Sequence, residues 1–296
     1  MKLLFTILLL CFHITIQAQK NSNTLNPVAV ENTLLWQVSG NGLKSASYLF
    51  GTFHLLCKED ISFSNPLKNA VARSKEVYLE LDLDDPATLM GGFMLMGMKG
   101  GKKFKDLYSP EAYQRIQDFF KDSLKIALGA FQNIKPEFLV ALLYPKMMPC
   151  HSSGSVEEAI MDLAKASGKE IKGLETMAFQ ASLFDSIPYE KQAKALLEAI
   201  DSLEKSKTYF TLMLDAYKNQ QLDKIEQLII NPVFGIEENQ DMLLDKRNRN
   251  WVVQLKEIMK TKPVFVGVGA GHLVGKNGLV ALLRDAGYVV KGLENK

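Results

Sequence analysis

Long apolar runs are scarce in this chain. Beyond residue 18 no stretch is long and apolar enough to cross a bilayer, so no permanent membrane span is expected. Charge of one sign is also lacking. Lys and Arg number 35 against 33 Asp and Glu, a formal net charge of +2, and a basic field for nucleic acid is therefore absent. Cysteines number 3 with no CxxC pair, which excludes the usual zinc-ribbon and dithiol signatures. No HExxH, GxSxG or phosphate-cradling glycine loop occurs, so the commonest zinc-peptidase, serine-hydrolase and nucleotide signatures are missing. Histidine is rare as well, and the positions of His54, His151 and His272 therefore carry information.

What is present begins with "MKLLFTILLLCFHITIQAQK": a lysine, an apolar run, then Ile16-Gln17-Ala18. This layout predicts a signal peptide over residues 1–18 with cleavage near Ala18, and hence an exported protein, periplasmic or secreted. Residues 19–32 are polar and read as a flexible leader. Residues 33–296 read as one domain, with apolar residues at 47% of the whole chain supplying a large core. Past the signal, Cys57 and Cys150 are the remaining cysteines, and an oxidising compartment predicts that they pair.

The two ends of this domain share a shape. "SASYLFGTFH" and "KPVFVGVGAGH" are each a strand-like run ending in glycine with a histidine three residues on, followed by a helix and another strand. The fold class expected is α/β: a mixed central sheet built from two βαβ-like units at the chain ends, each with a GxxH motif. A helical insert of about 105–260 lies between them. Sites in such sheets form beyond the carboxyl ends of strands, so His54 and His272 are expected to face one cleft. The bland alternative for either histidine is a hydrogen-bonded turn residue.

"EVYLELDL" reads as a strand with Glu80 and Asp82 on one face. Buried carboxylates need a cation or a guanidinium, so Glu80 is a candidate metal ligand or general base, the alternative being a solvated edge. Glu175 closes the strand "IKGLE", and Arg247 with Asn248 lies in "DKRNRNW", where a guanidinium can orient a carboxylate or stabilise an oxyanion. The Met- and Gly-rich "MGGFMLMGMKGGKKF" reads either as a pliable lid or peptide-binding flap, or as an irregular core segment.

Taken together, the paired GxxH motifs, "VYLELD", "KGLET" and "RNRNW" resemble the TraB/GumN family, which is related to the Tiki-type metalloproteases. The resemblance runs from Leu35 to Leu293. It implies an α/β core, a divalent metal (manganese or cobalt), and a peptide or protein substrate. On this chain His54, His272 and Glu80 would be the metal ligands, and Glu80, Glu175, Arg247 and Asn248 the catalytic group. Two alternatives stay open. One is a metal-free hydrolase using a histidine and Glu80, esterase-like in its chemistry. The other is a non-catalytic protein that captures a peptide or haem in the same cleft. Oligomeric state has no signal in the sequence.

Overall fold

Two short apolar runs flank Asn41-Gly42, and in the computed structural model they pair as an antiparallel hairpin, β1 (Leu35–Ser39) with β2 (Ser47–Thr52). Asn41 and Gly42 both take positive φ, the backbone such a turn requires. The structure describes residues 32–230 and 239–296, with the backbone only at 87–90 and 93. The expected signal peptide, and the leader apart from Asn32, lie outside the described residues. Glu31–Lys296 forms one compact unit.

After β2 come a two-residue strand, β3 (Leu56–Cys57), helix α1 (Asn65–Arg73) and strand β4 (Glu76–Leu81). Ser64 caps α1 by accepting from the Leu67 N–H, with Pro66 in its first turn. The chain then forms α2 (Pro86–Leu95), α3 (Pro110–Phe119), α4 (Pro136–Val140) and α5 (Tyr144–Met147). A short strand, β5 (Ser153–Gly154), leads into α6 (Val156–Ala166) and β6 (Glu170–Glu175). Helices α7 (Met177–Asp185), α8 (Tyr189–Asp201), α9 (Leu203–Lys218), α10 (Leu222–Ile229) and α11 (Lys246–Thr261) follow. The closing unit is β7 (Val264–Gly269), α12 (Leu279–Asp285) and β8 (Val289–Gly292).

Among the described residues the main sheet has six strands in the order β6-β4-β7-β2-β1-β8. The first four run parallel, and β1 is antiparallel to both β2 and β8. The sheet is thus mixed, and the two chain ends interleave in it, as the paired motifs predict. β7 is buried from Val264 to Val268, the mark of a strand covered on both faces. The parallel register puts Thr52 opposite Gly269 and Leu81 opposite Glu175, so four strands end at one edge.

The strand read at "IKGLE" inside the helical insert is β6, which returns to the sheet beside β4. From Tyr189 to Ile229 the chain is helical in three pieces. The chain breaks at Ser202 and again at Asn219 to Gln221, where Gln220 has positive φ. The Met- and Gly-rich segment is mixed in burial: Met94 at the end of α2 is 87% exposed, while Phe104 is fully buried.

Candidate functional site

The carboxyl ends of β2, β4, β6 and β7 carry the candidate residues. Glycine serves there through close approach rather than through left-handed turns, since Gly51, Gly269 and Gly271 are not among the positive-φ residues. A Cβ on Gly51 would lie 3.2 Å from the Ala270 Cα, against the turn of the second motif. A Cβ on Gly271 would lie 2.2 Å from the Ile229 side chain of α10. At Gly269 the backbone N–H donates to Glu80 Oε1 at 2.8 Å, and a Cβ would crowd that same oxygen at 3.3 Å.

Arg247 is the hub. A π-helical turn, Asp241–Asp245, leads directly into α11 and delivers the arginine, which is 8% exposed. Its Nη2 donates to Glu80 Oε2 at 2.6 Å and to Glu175 Oε2 at 2.8 Å. Its Nε donates to both oxygens of Glu175, and its Nη1 to the Leu243 carbonyl and to His272 Nε2 at 3.1 Å. Gln180 of α7 donates to both glutamates. Trp251, one turn along α11, lies under the guanidinium at 4.8 Å and against the His272 ring at 4.4 Å.

These contacts fix the tautomer of His272. Guanidinium nitrogens only donate, so Nε2 accepts and carries no proton. Nδ1 is then the N–H, and it donates to Asn248 Oδ1 at 2.6 Å. Asn248 in turn donates from Nδ2 to the Asn277 carbonyl at 2.8 Å, which sets its amide orientation. Burial, reinforced by the Arg247 and His54 charges and opposed by Glu80, lowers the His272 pKa to about 3. The ring is therefore neutral at physiological pH. For Glu80, burial pushes the pKa up, but His272, Arg247, His54 and the Gly269 N–H outweigh it and hold it at about 2. With His272 neutral, Arg247 is the dominant pull at pH 7.

His54 stands apart from this cluster. Its side chain is 76% exposed, and its Nδ1 lies 2.8 Å from Glu157 Oε1. The hydrogen bond to Glu157 is the largest influence and, against desolvation, raises the imidazole to about 9. Glu157 was not singled out in the sequence. Its neighbour Glu158 is exposed, whereas Glu157 folds back and accepts from Ser155 Oγ at 2.6 Å. The expectation that Asp82 would share the face of Glu80 is also revised. β4 ends at Leu81, and the Asp82 carboxyl lies beside Asp84, outside the Arg247 cluster; burial, Asp84 and Asp85 raise it to about 6.

For a divalent ion, the donor types fit: two imidazoles with Nδ1 engaged elsewhere, and a carboxylate at the same strand ends. The spacing is part-formed. His272 Nε2 and Glu80 Oε1 are 3.8 Å apart, with Arg247 bonded to both residues. His54 does not join them: among the described residues, the one His, Cys, Asp and Glu cluster within 4.8 Å is Cys57, Glu59 and Cys150. Those two cysteines form the expected disulfide, so that cluster offers no thiolate.

Fold and cluster together define an α/β protein that gathers its polar, chemistry-bearing groups at the carboxyl ends of parallel strands. Residues 34–292 match the TraB/PrgY/gumN family, and the chain belongs to it. It is similar to metalloprotease TIKI1 of Danio rerio, 22% identical over 322 residues that cover 90% of this chain and 64% of the relative. It is also similar to metalloprotease TIKI2 of Danio rerio, 22% identical over 316 residues, 88% and 61% of the two chains. The chain thus spans less than two thirds of the length of either relative. No solved structure matches it. No helix among the described residues is long and apolar enough to cross a membrane.

Proposed function

We propose that this protein is an exported hydrolase that cuts peptide bonds at the carboxyl ends of β2, β4, β6 and β7. The observation that carries this reading is the matched presentation of two imidazoles. Each motif histidine has Nδ1 bonded to a side-chain oxygen, Glu157 for His54 and Asn248 for His272, so Nε2 is the nitrogen left for a ligand, in His272 by displacing the Arg247 hydrogen bond. Glu80 lies beside His272 as an ionised carboxylate. Family membership and the relatives' description as metalloproteases support hydrolysis and a metal requirement. The signal-like N-terminus and the disulfide support export.

His54, His272 and Glu80 would hold a divalent ion, manganese or cobalt on the family resemblance, which when bound would polarise the scissile carbonyl and acidify a water. The chain's own groups do the rest. Asn248 holds His272 in the tautomer that presents a lone pair. Arg247 holds Glu80 ionised and, by bonding Glu80 and Glu175 together, fixes their separation. Gln180 ties the same two carboxylates to α7. One observation favours a second reading without metal. Arg247 already supplies the positive charge that Glu80 and His272 accept, and the two histidines are pushed to opposite ends of the titration range, His54 as proton donor and His272 as neutral acceptor.

The test is digestion of a peptide library, read by mass spectrometry, with chelator-treated protein and with manganese, cobalt or zinc restored. Cleavage that needs the ion and is lost in Glu80→Gln and His272→Ala supports the metal-dependent reading. Cleavage that persists in chelator supports the acid–base reading. Peptide or haem binding with no turnover under any condition would leave a capture protein and overturn both.

A further inference from the structure

The bridge between His54 and Glu157 has an unusual distribution of burial. The imidazole is 76% exposed, whereas the carboxylate that holds it is 9% exposed. A ring that far into solvent gains little from packing, so its orientation comes from the Nδ1 contact. The carboxylate, by contrast, has given up its hydration, a cost met only by partners. It has three: His54 Nδ1 at 2.8 Å, Thr52 Oγ1 donating at 2.6 Å, and Ser155 Oγ donating at 2.6 Å. Its place in the first turn of α6, at the positive end of the helix dipole, also favours the negative charge.

The surroundings lock the two partners together. Thr52 belongs to the same GxxH stretch as His54. The Val156 N–H donates to the Phe53 carbonyl at 3.2 Å, joining the start of α6 to the residue before His54. β3 pairs with β5, Leu56 opposite Gly154 and Cys57 opposite Ser153, and the Cys57–Cys150 disulfide closes the same junction. These contacts tie the start of α6, which carries Glu157, to the chain on both sides of His54.

We propose that Glu157 is the positioning residue of His54: its buried carboxylate pins the Nδ1–H and the ring plane, so that Nε2 is the nitrogen left for an incoming ion or proton. The assignment rests on the reading of these strand ends as a hydrolytic centre, but the pinned ring does not. Asn248 does the equivalent for His272 at 2.6 Å, so each motif histidine has its own clamp, one charged and one neutral.

The experiment compares the full chain with Glu157→Gln and Glu157→Asp. The aspartate keeps the charge at the helix start and withdraws the oxygens by one methylene, which guards against a variant that fails to fold. The first readout is proton–nitrogen NMR of the imidazoles, with His54→Ala for assignment. The second is cobalt binding, followed by Trp251 fluorescence in a Trp36→Phe background. The expected result is a slowly exchanging His54 Nδ1 proton in the wild type that is lost or moved in both variants. Cobalt affinity should fall roughly 10–100-fold, as for other residues that orient metal ligands. An unchanged His54 signal and unchanged affinity in both variants would overturn the proposal. If wild-type protein binds no cobalt while the Nδ1 signal still depends on Glu157, the metal reading fails and the positioning role stands.

Discussion

At the scale of single residues, Arg247 decides the state of the cluster. It bonds two carboxylates and an imidazole from a buried position, so its removal leaves Glu80 and Glu175 facing each other without a cation. Breaking such a pair by deleting one partner costs about 3–5 kcal/mol. Arg247→Ala should lose that much in urea unfolding at pH 7, whereas Arg249→Ala on the exposed side of α11 should change stability by less than about 0.5 kcal/mol. Glu80 sets a pH dependence whose sign follows from its lowered pKa of about 2. Above roughly pH 4.3, the ordinary value for glutamate, its stabilising contribution is fully present. It is lost as pH falls through the folded value, because the unfolded chain takes up the proton first. Stability curves from pH 6 to pH 2.5 should therefore slope downward toward acid, and Glu80→Gln should flatten that slope.

At the scale of elements, the GxxH motifs are packing devices as much as carriers of histidine. Gly51 lets the end of β2 close on the turn that bears His272, with the Ala270 Cα, Leu273 and Leu34 all at 3.0–3.2 Å from where a Cβ would go. Gly51→Ala forces two motifs apart that share one edge. It should cost about 1–3 kcal/mol, the usual range for overpacking, and should move the Trp251 emission, since the Trp251 ring packs against His272 at 4.4 Å. The disulfide acts at the same scale. It joins residues with a sequence separation of 93 across the β3–β5 junction that frames His54. Reduction, or Cys57→Ser with Cys150→Ser, should lower stability by about 2–5 kcal/mol in denaturant titrations.

At the scale of the whole molecule, the sheet brings together groups that are far apart in sequence. His54, Glu80, Glu175, Arg247 and His272 come from both ends and the middle of the chain, and the parallel register of β2, β7, β4 and β6 ends them at one edge. Any ion that binds only this assembled edge must stabilise the fold. Cobalt or manganese at about 100 times its dissociation constant should add about 2.7 kcal/mol, seen as a raised Tm in wild type and not in the variant carrying both His54→Ala and His272→Ala. An equal rise in both proteins would place the ion elsewhere.

The alternation of apolar residues, the Asn41-Gly42 turn and the repeated strand–GxxH–helix–strand pattern were enough to determine an α/β fold with polar candidate residues at strand ends, because local periodicity and turn chemistry report backbone class directly. Glu80, Glu175, Arg247, Asn248 and His272 were legible for a related reason: charged or polar residues at the ends of apolar strands, or on a mostly apolar helix, have to find partners. What the sequence left open was which partner each one finds. Glu157 and Gln180 carry no motif, and nothing local distinguishes Glu157 from Glu158. Only the tertiary packing of α6 against the end of β2 turns one inward and leaves the other in water. The separation of His54 from the Arg247 cluster was likewise decided by tertiary structure. It depends on the β3–β5 junction and on long-range contacts whose strength varies with distance and burial, quantities that residue order alone does not contain.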